Sequence, residues 1–144
     1  MKELSQNSKI ELAKAAQTAA TSAVESDVID MSGYDGVLFL TRFGTAAANN
    51  SVKVQQGEES DLSDAADLEG SSVVSGADPS NEAVYVDIFK PTKRYVRLYV
   101  SRGTSSTLGE IWAIKYGPRK APQVHAVSGT LTGETHVSPD EGTA

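Results

Sequence analysis

Between Glu82 and Tyr116 the chain reads EAVYVDIFKPTKRYVRLYVSRGTSSTLGEIWAIKY, and this stretch limits the fold more than any other. Three short runs rich in β-branched and aromatic residues lie in it: Ala83–Phe89, Tyr95–Ser101 and Glu110–Tyr116. Lys90-Pro91-Thr92-Lys93 and the segment from Arg102 to Thr107 separate them, with proline and glycine at the breaks. Runs of this length and make-up, punctuated in this way, predict antiparallel strands, here read as a meander. Seven aromatic residues, Phe39, Phe43, Tyr85, Phe89, Tyr95, Tyr99 and Trp112, are read as reaching a core or interface from strands, and the last five lie in this stretch, so it is read as the centre of the core. Alternation puts Val96, Leu98 and Val100 on one face and Tyr95, Arg97 and Tyr99 on the other. The third run is mixed on both faces, which predicts an interface on one of them. The expected core is Leu38, Leu40, Val86, Ile88, Val96, Leu98, Val100 and Ile114.

The flanking chain fits an all-β reading. Val37 to Phe43 is a strong strand whose first four residues are all apolar, so both of its faces should be covered at that end. Ser51–Gln56 alternates, with Val52 and Val54 on one side, and predicts a strand with one wet face. Ser26–Met31 reads as a short strand. The segment 1–24 is polar and alanine-rich; Ser8-Lys9-Ile10-Glu11 has capping-box spacing, and the segment is read as an arm, partly helical or irregular. The expected organisation is an N-terminal arm 1–24, a β-sandwich domain 25–120 and a C-terminal arm 121–144. Six to eight short strands predict a β-sandwich of jelly-roll or immunoglobulin-like topology.

At 144 residues the chain is long enough to bury a core without staples. It has no cysteine, hence no disulfide framework and no thiolate metal site. No apolar run approaches the roughly 20 residues of a membrane span, and the opening residues are not expected to form a signal peptide. The net charge of −6 argues against a general nucleic-acid binder. That charge is segregated. Six acidic and no basic residues occur from Glu58 to Glu69; five basic and no acidic ones occur from Ile88 to Gly109. Such runs are either solvated loops or complementary patches that meet on different molecules. The second reading makes Arg94, Arg97, Arg102, Asp61, Asp64 and Asp67 the candidate interface.

Catalytic signatures are missing. The two histidines, His125 and His136, both fall in the terminal segment, without a cysteine or an acidic pair beside them, and make a poor metal site. There is no Gly-x-Ser-x-Gly elbow, Gly-x-Gly-x-x-Gly or Walker sequence. Asp61, Asp64 and Asp67 recur at every third position, whereas a calcium loop needs alternate ones. The expectation is a protein that is not an enzyme and has no cofactor. A hydrolase would need one of the histidines ordered beside a carboxylate. A carbohydrate-binding sandwich displayed on a virion is the alternative, with Tyr99, Trp112 and Tyr116 as a sugar platform.

Four phrases carry a resemblance: Asp27-Val28-Ile29-Asp30-Met31-Ser32-Gly33-Tyr34-Asp35-Gly36-Val37-Leu38-Phe39, Leu62-Ser63-Asp64-Ala65-Ala66-Asp67-Leu68-Glu69-Gly70-Ser71, Tyr95-Val96-Arg97, and Ile114-Lys115-Tyr116-Gly117-Pro118-Arg119-Lys120-Ala121-Pro122. Together they resemble the capsid cement or decoration proteins of tailed-bacteriophage heads. The likeness runs from about Asp27 to the C-terminus. It implies a jelly-roll-like sandwich, made in the host cytoplasm and bound to the capsid exterior of the virion. The partners it implies are the major capsid protein and further copies of the chain as dimers or trimers on symmetry axes, with no nucleic acid and no membrane. It supplies no catalytic residues.

Overall fold

The computed structural model describes residues 3–103, 105–125, 129–138 and 140–143. Among them the regular structure is β-strand apart from one 3-10 turn at Leu4–Gln6. In order the strands are β1 (Ser8–Lys14), β2 (Gln17–Ala20), β3 (Val24–Glu25), β4 (Ile29–Asp30), β5 (Gly36–Arg42) and β6 (Ser51–Gly57), followed by β7 (Ala66–Asp67), β8 (Val73–Val74), β9 (Ala83–Phe89), β10 (Tyr95–Ser101), β11 (Ser106–Leu108) and β12 (Ile111–Tyr116). One sheet has the order β1-β12-β5-β9. The other runs β3-β10-β6-β7, with β4 also on β10 and β8 also on β6, and β2 pairs with β11 in a small third sheet. All pairings are antiparallel.

The two larger sheets form an all-β sandwich, and the period-2 alternation of each strand decides what lies between them. From the first sheet come Val37 and Phe39 of β5, Val84 and Val86 of β9, and Ile111 and Ala113 of β12. From the second come Val52 and Val54 of β6, Val96, Leu98 and Val100 of β10, Val24 and Ile29. Phe43 and Leu108, joined by an isolated bridge, are buried with them at one end.

All three runs of the Glu82–Tyr116 stretch are strands within a residue of their expected bounds. They are not a meander. Chain order alternates between sheets: β9 pairs with β5, β10 with β6, and β12 with β5 and β1. The intervening segments are long enough to cross the roughly 10 Å between packed sheets, and each crossing lets the next run bury its apolar side from the opposite wall. The expected core is right for Val86, Val96, Leu98 and Val100, while Ile88 is partly buried. It is off by one residue on β5 and β12. Leu38, Leu40 and Ile114 point outward, because Val37, Phe39, Ile111 and Ala113 take the inner positions. The stretch's aromatic residues are outside the core, whose rings are Phe39 and Phe43.

The arm expected over 1–24 is also corrected. Ser8–Lys14 is an edge strand of the four-stranded sheet, in register with β12 from Ser8↔Tyr116 to Leu12↔Trp112. The capping-box spacing starts no helix there: Ile10 and Leu12 alternate with Lys9 and Glu11 and suit one sheet face each. Ala13, at a register shift, is fully buried. Gln123, expected in the C-terminal arm, donates from its N–H to the Gln6 carbonyl and accepts from the Tyr34 hydroxyl at 2.5 Å. Residues 1, 2, 126–128, 139 and 144 of the two expected arms lie outside the described residues, as does Thr104 of the expected turn.

Candidate functional site

The outer face of the four-stranded sheet is built from three cross-strand rows. Leu12, Trp112, Leu40 and Tyr85 form the first; Ile10, Ile114, Leu38 and Asp87 the second; Ser8, Tyr116, Gly36 and Phe89 the third. Nine of these twelve side chains are aliphatic or aromatic. Gly36 is needed in the third row, since a Cβ there would stand 2.3 Å from the Tyr116 ring. The ring covers the glycine and stacks on Phe89 with centroids 6.5 Å apart and planes 4° from parallel. Its hydroxyl donates to Asp87 at 2.7 Å. Burial, reinforced by the Asp87 carboxylate, pushes the Tyr116 phenol up to about 12. The β9 side of this face is the most open: Tyr85 is 64% exposed and Phe89 62%. On the β1 side, Leu131 lines a cavity of about 440 Å³ with Ile10 and Leu12.

The outer face of the other sheet is a polar ladder. Arg97 bridges β10 to both neighbours, donating to Glu25 of β3 at 2.9 Å and to Gln55 of β6 at 2.8 Å. Arg94 grips Asp30 through two bonds of 3.0 and 2.9 Å. The Asp30 carboxyl is held below its ordinary value chiefly by that guanidinium. Lys53 pairs with Asp67 at 2.6 Å and lies over the Tyr99 ring, 4.9 Å from its centroid. Its ammonium, with the Gln55 amide, keeps the Asp67 carboxyl low.

The six residues of the expected charge interface therefore have different positions. Arg94, Arg97 and Asp67 are on this ladder, each engaged within the chain. Asp64 folds the acidic loop, accepting from the N–H groups of Glu58 and Glu59 above Gly57; the Glu58 bond leads in holding its carboxyl low. Asp61 accepts from the N–H of Ser63. Arg102 leaves the surface set altogether. It is 6% exposed, and its guanidinium donates to the carbonyls of Thr18, Ser22 and Ser106 and to the Ser22 hydroxyl. A fixed planar fork suits this task of tying β2 and β11 to the sandwich. The sign segregation in sequence is undone in space: Lys93 meets Glu58 and Lys53 meets Asp67, each across the two runs or beside them.

Of the three rings expected in a sugar platform, Trp112 and Tyr116 share the apolar face while Tyr99 is on the opposite side of the sandwich, so the trio does not form. His125 is engaged by backbone, with the Ile10 N–H donating to Nδ1 at 3.3 Å and Nε2 2.8 Å from the Ser5 carbonyl oxygen. His136 is exposed beside Glu134. Among the described residues no cluster of three potential metal ligands occurs. Sequence reasoning missed Leu38, Leu40, Tyr85, Phe89 and Ile114 as a surface. The available signal was the apolar content of both faces of β5 and β12.

No family model matches the chain, and no curated protein does. Among solved structures, the PBSX exported protein XepA shares 15% identity at a TM-score of 0.55; the match covers 95% of this chain and 46% of that one, so this chain spans under half the length of XepA. SPBc2 prophage-derived protein YomS shares 16% identity at a TM-score of 0.43, over 74% of this chain and 93% of that one. A protein of the Bacillus endospore appendages, described as disulfide-linked pili, shares 14% at 0.47, over 78% and 91%. The XepA likeness is one of fold.

Proposed function

We propose that the chain is a phage-associated structural protein, and within that class a cement or decoration protein that binds the outside of a capsid and ties adjacent major capsid protein subunits together. The reading assigns it no catalytic step. The observation that carries it is the outer face of the four-stranded sheet, where nine aliphatic and aromatic side chains stand in register with Tyr85 and Phe89 largely open to water. Contiguous apolar surface of this kind marks a contact site. The phrases that resemble cement proteins supply the identity of the partner. A capsid holding packaged DNA is under outward pressure; a rigid sandwich that bridges subunits opposes it, and many weak identical contacts add up over the shell.

The test is titration of labelled protein onto phage heads lacking it. Leu40→Asp and Trp112→Asp place a carboxylate in the middle of the face, where a buried unpaired charge is costly. Each should weaken attachment by more than roughly tenfold while leaving the far-UV spectrum of the free protein nearly unchanged; its melt should hardly move for Leu40→Asp and fall for Trp112→Asp, whose ring is half-buried. Unaltered attachment in both variants would remove this face from the capsid contact.

A further inference from the structure

Strand β9 closes one edge of the four-stranded sheet and, among the described residues, pairs with β5 alone. The Phe43 N–H donates to the Glu82 carbonyl and the Lys90 N–H to that of Asp35. Antiparallel ladders alternate, so the even-numbered residues between them turn their N–H and C=O groups toward β5. Ala83, Tyr85, Asp87 and Phe89 turn theirs to the free edge. Sheet edges are ordinarily blunted by lysine, proline or a bulge. β9 contains no lysine or proline and keeps an unbroken register from Gly36↔Phe89 to Arg42↔Ala83. Alongside it runs a groove of about 730 Å³ whose far wall includes Leu68 and Val73 of the second sheet. Val73 and the neighbouring Val74 are exposed.

We infer that this edge is an interface between two copies of the chain, with β9 pairing antiparallel to the partner's β9 about a two-fold axis at Val86. A two-fold axis at any residue of β9 places free odd-numbered groups against one another, and axes at Tyr85, Val86 and Asp87 use at least three of the four. An axis at Asp87 sets two carboxylates face to face, and an axis at Tyr85 leaves Phe89 without a strand residue opposite. The axis at Val86 sets Tyr85 against the partner's Asp87 and Ala83 against the partner's Phe89, so every free N–H and C=O of both strands is used. It alone sets Glu82 against the partner's Lys90, at both ends of the paired strands. Both residues flank β9 rather than belong to it: Lys90 turns out of the strand at φ 54° with its ammonium 5.1 Å from the Phe89 ring centroid and no carboxylate within salt-bridge reach among the described residues, and one Glu82 carboxylate oxygen accepts from the Gly76 N–H. The charges at the strand ends thus select the same register as the backbone. Pairing joins two four-stranded sheets into one of eight and brings the exposed Val73 and Val74 of each copy to the junction.

The free protein tests this by sedimentation equilibrium and amide hydrogen exchange, and because no capsid is present, its failure and that of the cement reading are separate results. A dimer is expected, in which the amides of Tyr85, Asp87 and Phe89 exchange slowly. Ala83→Pro removes an N–H that the fold does not use, at the first residue of an edge strand, where proline is tolerated; it should weaken self-association by more than roughly tenfold. Glu82→Lys should weaken it, and Glu82→Lys combined with Lys90→Glu should restore it, which reads the register even if the proline variant fails to fold. A monomer with fast exchange at these three amides overturns the inference. So does a dimer indifferent to the charge swap, or protection of β9 that appears only on phage heads, which would make a capsid strand the occupant.

Discussion

The two outer faces of the sandwich are made by the same alternation and differ in what they leave unmet. On the β10–β6 side, Arg94, Arg97 and Lys53 each find a carboxylate on a neighbouring strand, and the aromatic rings there lie under cations. That face is complete within one chain. On the β12–β5 side, the rows from Leu12 to Tyr85 and from Tyr116 to Phe89 expose apolar surface that the described residues leave uncovered. Charge density is therefore a poor guide to which face is left unmet here, and exposed apolar area a better one.

The sharpest test uses adjacent residues of β5. Phe39 is fully buried and Leu40 is 37% exposed on the opposite side. Phe39→Ala should cost roughly 3–5 kcal/mol in denaturant unfolding, and Leu40→Ala about 1 kcal/mol or less in the free protein. Similar losses would mean that both sides of β5 are core, and the contrast between the faces would collapse. Next, attachment to heads should depend on the apolar face far more than on the charged one. Reversing Arg94 and Arg97 to glutamate should change the binding constant only a few-fold, about the scale of rim charges screened over a Debye length of about 8 Å at physiological salt; a loss as deep as that of Leu40→Asp would reverse the assignment.

Protonation separates the faces as well. The folded-state Tyr116 phenol is raised from 10.0 to about 12, so the stability tied to its neutral form is intact below pH 10 and lost as pH climbs toward 12. Thermal melts over that range should fall more steeply for the wild type than for Tyr116→Phe. Asp30 behaves in the opposite sense: its carboxyl is lowered from 3.8, so the contribution is present above that value and disappears as the solution is acidified through the folded-state value. Arg94→Gln should flatten the acid limb. The smallest effect is expected from Lys93→Met, under about 1 kcal/mol for an ion pair with Glu58 that is exposed on both sides, and decreasing with salt.

The positions of β5, β6, β9, β10 and β12 were legible because alternation is a local property. Val52 and Val54, or Val96, Leu98 and Val100, declare an inner face by themselves. Strand partners were not: segments such as 90–94 are compatible with turning back in one sheet or crossing to the other. The inward side of β5 was illegible for a related reason. Val37, Leu38, Phe39 and Leu40 are all apolar, so periodicity carries no phase there, and only the sheet packed against it fixes which pair goes in. The partners of the charged residues were illegible because sequence segregation says nothing of neighbours across strands; Asp30 meets Arg94 over 64 positions. Arg102 was read as surface by its type, yet the carbonyls of Thr18 in β2, Ser22 just after it and Ser106 in β11 make a buried site that a guanidinium fills.

The position of β12 has a kinetic consequence. It is the last strand among the described residues, yet it is interior to its sheet, with β1 on one side and β5 on the other. At the roughly 5–20 residues per second of translation, β1 waits on the order of 5–20 s for the segment it pairs with. Throughout that interval β5 has one bare edge and the nascent chain has an incomplete wall. Chaperone engagement should concentrate in this window, and refolding from denaturant should be slow, in the millisecond-to-second range of high contact-order β proteins. Chains stopped before Ile111 lack the strand that joins their beginning to their middle, and they should be cleared by proteases rather than accumulate as shortened sandwiches.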